Sequence, residues 1–386
     1  MSVTLKDLRP VYVVGAGWHR YQSLPTDTSF VTLGLTAVRG ALADAGIEWP
    51  AVETAFVANA RLPMAPGRPI LRHLGASGIE IVHIENASAS GSAAFRKACI
   101  EVASGICDVA LVLGVDKPNP ALPAMRAESQ TGIGNLADDA IAPFTHFALL
   151  ADQYTQRWGV SPDDIARVAV KNHGNGAKNP NAQRQQARTL EEVLGGRRVS
   201  GNFTTLQCTP VGEGAAAVIV ASEAAIRSLR IGGDKPVRVT GSAALSQKVY
   251  DDNTTFDATL TAQTTRRCLQ EAGLRPEQLD VVELHDAFTV EEVEYVEAMG
   301  LCAPGQAVQL LKEGHWNIGG RCAVNPSGGL IAMGHPIGPT GVGQIGEIAL
   351  QLRGAAGARQ HRGARTGLAH MVGVGAVCYV HSLQRD

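Results

Sequence analysis

One histidine stands where it could do chemistry. Asn325 to Gly341 reads Asn-Pro-Ser-Gly-Gly-Leu-Ile-Ala-Met-Gly-His-Pro-Ile-Gly-Pro-Thr-Gly, with five glycines, three prolines and His335 past its middle. Glycine lets backbone pass close to a ligand or take a positive φ. Proline directly after His335 fixes the chain where the imidazole has to point. Val342 to Leu352 then has helical spacing. The stretch therefore reads as a rigid loop that feeds a helix and holds an imidazole against a ligand. The alternative is a glycine-rich turn with a surface histidine.

The elements that must position this loop follow from hydrophobic spacing. Val11 to Val14 reads as a buried strand closed by Gly15-Ala16-Gly17. A helix from Ser29 to Ala45 presents Val31, Leu33, Leu35, Val38 and Leu42 on one broad face, and Gly46 caps it. Val52 to Val57 and Glu80 to Ile84 read as strands. The second runs into Glu85-Asn86-Ala87-Ser88-Ala89-Ser90-Gly91-Ser92, small residues that turn sharply into a helix from Ser92 to Ser104. Asp108 to Gly114 is an apolar strand of the fully buried kind.

From Asp116 to Pro236 the texture changes. Pro118, Pro120 and Pro123 break the chain, and helices are expected over Thr145 to Trp158 and Pro162 to His173, with Ser161 as N-cap. Asn179-Pro180-Asn181 and Arg184 to Arg188 read as exposed loop. The region is expected to cover a site rather than to form a domain. Cys208 to Gly214 enters a buried strand, Ala215 to Ala221. The first pattern then returns: a strand over Val237 to Gly241, a helix over Thr259 to Ala272, Gly273 as cap, and Asp280-Val281-Val282-Glu283-Leu284. Strand, helix, glycine cap, linker and strand occur in the same order twice, and each copy later has a small-residue turn entering a helix. Duplication of a βαβ-type unit accounts for this economically.

Composition narrows the function. The chain has 386 residues, 45% hydrophobic and 18% charged, which suits a compact α/β protein with a large core. A net charge of −2 argues against nucleic acid as a general partner. Seven cysteines occur without paired spacing, so neither a zinc ribbon nor a disulfide framework is indicated. Gly15-Ala16-Gly17 lacks the third glycine of a dinucleotide fingerprint, and no metal cluster is visible. Met1 to Tyr12 shows no apolar signal core, and no apolar run approaches the roughly 20 residues that span a bilayer. A reduced, cytoplasmic protein without a permanently bound cofactor is expected.

Taken together, these segments resemble the thiolase superfamily, and most closely its sterol-carrier-protein-type branch. The resemblance covers nearly the whole chain. It rests on Asn325 to Gly341, His285-Asp286-Ala287-Phe288, Ser88 to Ser92, Ala215 to Val220 and His370-Met371-Val372-Gly373-Val374-Gly375. It implies a duplicated αβαβα five-layer fold with an inserted loop region. On that plan residues 1–116 and 208–235 form the N-terminal half, 117–207 the covering region and 236–386 the C-terminal half. It also implies a homodimer or higher oligomer, coenzyme A thioester substrates, and carbon–carbon bond making or breaking beside the thioester. His335 matches the histidine that activates the nucleophile. His285 matches the residue that binds the thioester oxygen as it gains charge. Gly373 matches a backbone donor to a second oxyanion, shared with position 88. His146 matches a pocket histidine, the alternative being a helix-start residue bonded to solvent. Phe288, Gly328 and Gly329, within the matching motifs, are further expected substrate contacts.

The departure is at the nucleophile. The family's cysteine falls on Ser88. A cysteine at a helix N-terminus is acidified toward neutrality. A serine hydroxyl gains little there, since a helix terminus is worth about 1 kcal/mol, and it needs a base aligned on its oxygen. Ser88-Ala89-Ser90-Gly91 does not read as the strained elbow of a serine hydrolase. The second cysteine is missing too: its two known places hold Met371 and Ala287, while Cys322 and Cys378 read as core residues. Three readings stay open. Ser88 replaces a cysteine, by engineering or as a slow natural variant, in a thiolase-type acyltransferase. The chain is a retro-aldolase of a 3-hydroxyacyl-CoA that needs no acyl-enzyme. Or it is a non-catalytic subunit that binds acyl-CoA or a partner. Relatives imply one such partner, a small OB-fold protein with a zinc ribbon. Arg184 and Arg188 are weak candidates for the nucleotide phosphates, and His361, Arg362 and Arg365 form a small basic patch that reads as solvated loop.

Overall fold

The computed structural model of the chain describes residues 3–24, 26–118, 143–231, 236–247, 256–373 and 377–385. Pro120 and Pro123 of the covering region, and Val374 and Gly375 of the C-terminal motif, lie outside the described residues.

Twelve strands and seven longer helices carry the architecture among the described residues. The strands are β1 Val11–Ser23, β2 Thr54–Ala58, β3 Glu80–Ile84, β4 Val109–Asp116, β5 Arg198–Ser200, β6 Phe203–Thr204, β7 Gly212–Ser222, β8 Val237–Ser246, β9 Val281–Glu283, β10 Ala323–Val324, β11 Thr366–Gly373 and β12 Val377–Gln384. The helices are α1 Phe30–Ala45, α2 Ser90–Ser104, α3 Pro143–Trp158, α4 Pro162–Gly176, α5 Phe256–Ala272, α6 Thr289–Ala298 and α7 Ile337–Arg353.

Ten strands form one sheet in the order β10-β9-β11-β12-β8-β1-β7-β4-β2-β3, and β5 pairs with β6 separately. The sheet is its own copy. Counted outward from its middle, one half runs β1-β7-β4-β2-β3 and the other β8-β12-β11-β9-β10. In each half the inner pairs are antiparallel and the two outer pairs parallel. The halves meet where Val11–Val13 pairs with Val237–Val239. Alternate residues of each strand point to opposite faces, and the cores divide accordingly. Val109, Leu111 and Leu113 join α1, whereas Ala110 and Val112 join α2 and α7. In the second half Val281 and Ala369 face the same α2–α7 core, whereas Val282, Leu368 and Val380 face α5 and α6. The layers are therefore α1, first half-sheet, α2 with α7, second half-sheet, and α5 with α6. This is the αβαβα order.

The glycines inside strands do not end them. β1 runs through Gly15 and Gly17, and β8 runs through Gly241. A Cβ on Gly17 would lie 2.3 Å from Ala41 N, and one on Gly241 would lie 2.6 Å from Cys268 O. These positions let α1 and α5 lie flush on the sheet. A glycine kept for close approach looks the same in sequence as one kept for a turn. The helix caps are as expected: Gly46 has φ 73° and Gly273 φ 69°, and Ser161 accepts from Asp164 N–H.

Candidate active site

The two central helices bring the chemistry together by crossing at small residues. A Cβ on Gly91 would meet Gly338 O at 2.7 Å, and one on Gly341 would meet Ser92 N at 2.6 Å. The start of α2 thus lies against the start of α7, and the loops before them, carrying Ser88 and His335, face each other. Ser88 Oγ is 3.0 Å from His335 Nε2. On the ring's far side Nδ1 is 2.8 Å from Thr340 Oγ1, one turn into α7. Ala87, directly before Ser88, has φ 47°, a strained value for a residue with a Cβ. The turn is tighter than its small residues suggested: Asn86 N–H donates to Ser90 Oγ at 2.7 Å and Ala89 N–H to Asn86 O at 3.0 Å.

His335 is half-buried. Burial, then the neighbouring charges of His285 and Arg61, hold its pKa well below the usual histidine value. The ring is therefore neutral at pH 7 and able to accept a proton. The rings of His285 and His335 meet edge to face at 5.5 Å and 88°. His285 Nδ1 is 2.9 Å from Glu291 Oε1, and its backbone N–H reaches His370 Nδ1 at 3.4 Å. Burial pushes His370 down to about 3, so it stays neutral and serves the fold.

A buried polar lattice fixes both histidine loops. Asn325 takes φ 53°, a left-handed conformation that asparagine tolerates. Its side chain accepts from Leu284 N–H at 2.8 Å and donates to Glu292 at 3.1 Å. Asn172 and Lys171 on α4 reach Asp286 and Glu292, the lysine pairing at 3.1 Å. Asp116, at the end of β4, accepts from Gly338 N–H at 2.6 Å and Arg61 N–H at 2.7 Å, and so anchors the entrance of α7.

Burial drives the pKa of Asp116 up from 3.8 to about 6, against those hydrogen bonds. A carboxyl whose folded pKa is raised stabilises the fold at low pH, and that contribution is lost as pH rises from about 4 through 6. The stability of wild type relative to Asp116→Asn should fall by on the order of 3 kcal/mol between pH 4 and pH 7. Urea unfolding of both proteins at the two pH values checks this. A difference independent of pH would reject it.

Other expected site residues are placed as follows. Gly373 packs on the Ser88 turn, since a Cβ there would lie 2.8 Å from Asn86 O. His146 sits near the start of α3, its ring edge-on to Phe147, which stacks on Phe288 at 4.7 Å. Gly328 and Gly329 are filled against protein: a Cβ on the first would lie 2.9 Å from Gly176 Cα and on the second 2.3 Å from Asp286 Oδ2. Their positive φ values of 109° and 59° shape the loop.

Two expectations from the covering region are corrected. Arg184 is no phosphate clamp, because its guanidinium donates to the carbonyls of Cys208, Ile331 and Thr205 at 2.9 to 3.1 Å. Asn179 is buried rather than exposed and donates to Ser327 O at 2.9 Å. Arg188 pairs with Glu192 at 3.2 Å.

Sequence reasoning missed Thr340, Asp116 and Glu291. Glu291 left a signal: it is the third residue of α6 and accepts the Phe288 N–H at 2.9 Å, half of a capping box. Asp116 left none beyond a polar residue ending an apolar strand.

Among the described residues no cluster of His, Cys, Asp and Glu could hold a metal ion, and no helix is long and apolar enough to cross a membrane. All seven cysteines are unbridged. Cys208, behind Phe288, donates to Thr204 O, and burial pushes its thiol up to about 12.

Comparison with known proteins agrees with the geometry. Residues 11–197 match the family model "Thiolase, N-terminal domain" and residues 241–382 match "Thiolase C-terminal domain-like". Sterol carrier protein 2 of Gallus gallus is 35% identical over 96% of this chain and 71% of its own. Benzoylsuccinyl-CoA thiolase subunit BbsB of Thauera aromatica is 34% identical over 89% of each chain. A solved "Ltp2-ChsH2(DUF35) aldolase" chain superposes with a TM-score of 0.84 over 98% of both chains at 23% identity, a likeness of fold. With two matching family models, a duplicated five-layer fold and a relative 35% identical over 96% of this chain, this chain belongs to the thiolase family.

Proposed function

We propose that the chain acts on acyl-CoA thioesters and makes or breaks the carbon–carbon bond beside the thioester, as a thiolase-type acyltransferase with Ser88 as acyl carrier. The observation that carries this is the 3.0 Å contact between Ser88 Oγ and His335 Nε2 at the entrance of α2. In cleavage of a 3-ketoacyl-CoA, neutral His335 takes the hydroxyl proton while Oγ bonds to C3. The C2–C3 bond then breaks, its electron pair leaving as the enolate of the shorter thioester. That enolate takes a proton at C2 from the site, and a CoA thiol later displaces the acyl group from Oγ. His285 faces the thioester oxygen, the backbone N–H groups of Ser88 and Gly373 serve the second oxyanion, and His146 and Phe288 line the acyl pocket. The name of the Thauera relative, a benzoylsuccinyl-CoA thiolase subunit, supports a CoA thioester substrate.

One observation favours a second reading. Positions 287 and 371 hold alanine and methionine, and Cys208 is a buried thiol rather than a thiolate. A retro-aldol split of a 3-hydroxyacyl-CoA uses two imidazoles and no thiolate, and one protein of the same fold is named an aldolase.

Incubation of wild type, Ser88→Ala and Ser88→Cys with acetoacetyl-CoA, followed by intact-mass spectrometry, separates the readings. An acyl adduct on wild type, absent in Ser88→Ala and faster in Ser88→Cys, supports acyl transfer. No adduct on either nucleophile, with a free aldehyde or ketone released from a 3-hydroxyacyl-CoA, replaces it by the lyase reading. No adduct and no turnover would leave a binding subunit.

Assembly belongs to the same proposal. β3 is one of the sheet's two edge strands, with Ile81, Val82 and Ile84 only half-buried, and it leads directly to Ser88. A second copy pairing along this edge would make a homodimer whose sites lie beside the interface. A small OB-fold, zinc-ribbon partner and a cytoplasmic location complete the reading. The partner is supported by the names of the Thauera protein, a subunit, and of the Ltp2-ChsH2(DUF35) aldolase.

A further inference from the structure

We infer that Glu291 is the positioning residue that makes His285 a proton-transfer group, so that the site works with two imidazoles in complementary states where a thiol is missing. The inference rests on the acyl-CoA reading above and deepens it. His285 and Glu291 are both buried, and Nδ1 lies 2.9 Å from Glu291 Oε1. The carboxylate cannot turn away. Its other oxygen, Oε2, accepts the Phe288 N–H at 2.9 Å, and Tyr295 Oη donates to Oε1 at 3.1 Å. A carboxylate only accepts, so Nδ1 must carry the proton. That leaves Nε2 as the nitrogen that can exchange a proton with the site, where the ring stands edge to face with His335.

The consequence is chemical. With Nδ1–H committed to Glu291, a neutral His285 offers a lone pair at Nε2. It becomes a donor there only as the imidazolium, whose charge the Glu291 carboxylate balances. His335 is the counterpart, with Nδ1 against a hydroxyl, Thr340 Oγ1, and, among the described residues, no carboxylate hydrogen-bonded to it. Two titratable groups held in different environments divide acid from base. In cleavage, His335 takes a proton from oxygen while His285 Nε2–H gives one to C2 of the enolate, and in condensation both transfers run in reverse. Cleavage then ends with His335 protonated and His285 neutral, and a proton passed back between the facing rings or through solvent restores the start. Ala287, two residues beyond His285, has no proton to give there.

The test uses a substitution with a structural signature. In Glu291→Gln the Phe288 N–H still requires the oxygen, so the amide NH₂ turns to His285 and donates to Nδ1. The neutral ring then carries its proton on Nε2. Nitrogen-15 NMR of histidine-labelled full-length protein, with His285 assigned by His285→Asn, reads the tautomer directly. The expected result is a ring that keeps its proton on Nδ1 in wild type and in Glu291→Asp, whether neutral or charged, and a neutral ring with its proton on Nε2 alone in Glu291→Gln. With acetoacetyl-CoA or a 3-hydroxyacyl-CoA, kcat of Glu291→Gln should fall about 100-fold with KM within about threefold, and Glu291→Asp should recover part of it. Thermal melting confirms that each variant is folded. An Nε2–H tautomer in wild type, or wild-type kcat in folded Glu291→Gln, overturns the inference. If wild type turns over neither thioester, the acyl-CoA reading fails instead, and the tautomer measurement still decides the role of Glu291.

Discussion

Replacing His335 by Asn is expected to cut acyl-CoA turnover by about 10³-fold or more, while CoA-thioester binding changes little. Among the described residues it is the imidazole in contact with Ser88 Oγ, and burial keeps it neutral and ready to accept a proton. Asn retains a polar group but cannot take the proton. Residues that act as one unit are not additive, so the double variant with Ser88→Ala separates the mechanisms. In acyl transfer, Ser88→Ala is as slow as His335→Asn, and the pair is no slower than either. In a retro-aldol split, Ser88→Ala costs little and His335→Asn costs nearly everything. Steady-state kinetics on all three variants, with calorimetric titration of a non-reactive CoA thioester, gives the answer. Near-normal kcat in His335→Asn would remove this histidine from the chemistry altogether.

The largest effect on stability is expected at Arg184. Its guanidinium donates to three carbonyls, Cys208 O, Ile331 O and Thr205 O. Burial brings its pKa down to about 10, still well above neutrality, so it stays charged. Arg184→Met keeps the apolar stem but leaves these carbonyls without a donor. Unmet buried acceptors and lost charge-assisted bonds together cost about 3–5 kcal/mol. Ile331 belongs to the loop that ends in His335, and Arg184 N–H itself donates to Ala332 O at 3.0 Å. Turnover should therefore drop along with stability. Denaturant unfolding measures the stability, steady-state kinetics the turnover, and CoA titration the binding. Unchanged stability with weakened CoA binding would return Arg184 to the phosphate role its sequence context suggested.

The sequence by itself determined the helices, the caps and the repeat. Hydrophobic spacing over α1 and Gly46 after it are local facts, and a glycine that accepts positive φ ends a helix wherever the chain goes next. It also determined the family, because Gly334-His335-Pro336 and His285-Asp286-Ala287-Phe288 are contiguous. Only the tertiary structure decided what depends on partners distant in the chain. Whether Gly17 ended a strand or let α1 touch it depended on Ala41, and Arg184 needed three carbonyls to become a brace rather than a clamp. Ser88 and His335 are 247 positions apart, and nothing local specifies their 3.0 Å contact. It arises because Gly91 and Gly341 let two helices from the two halves of a duplicated sheet cross at backbone distance, and a side chain at either place would hold the two apart.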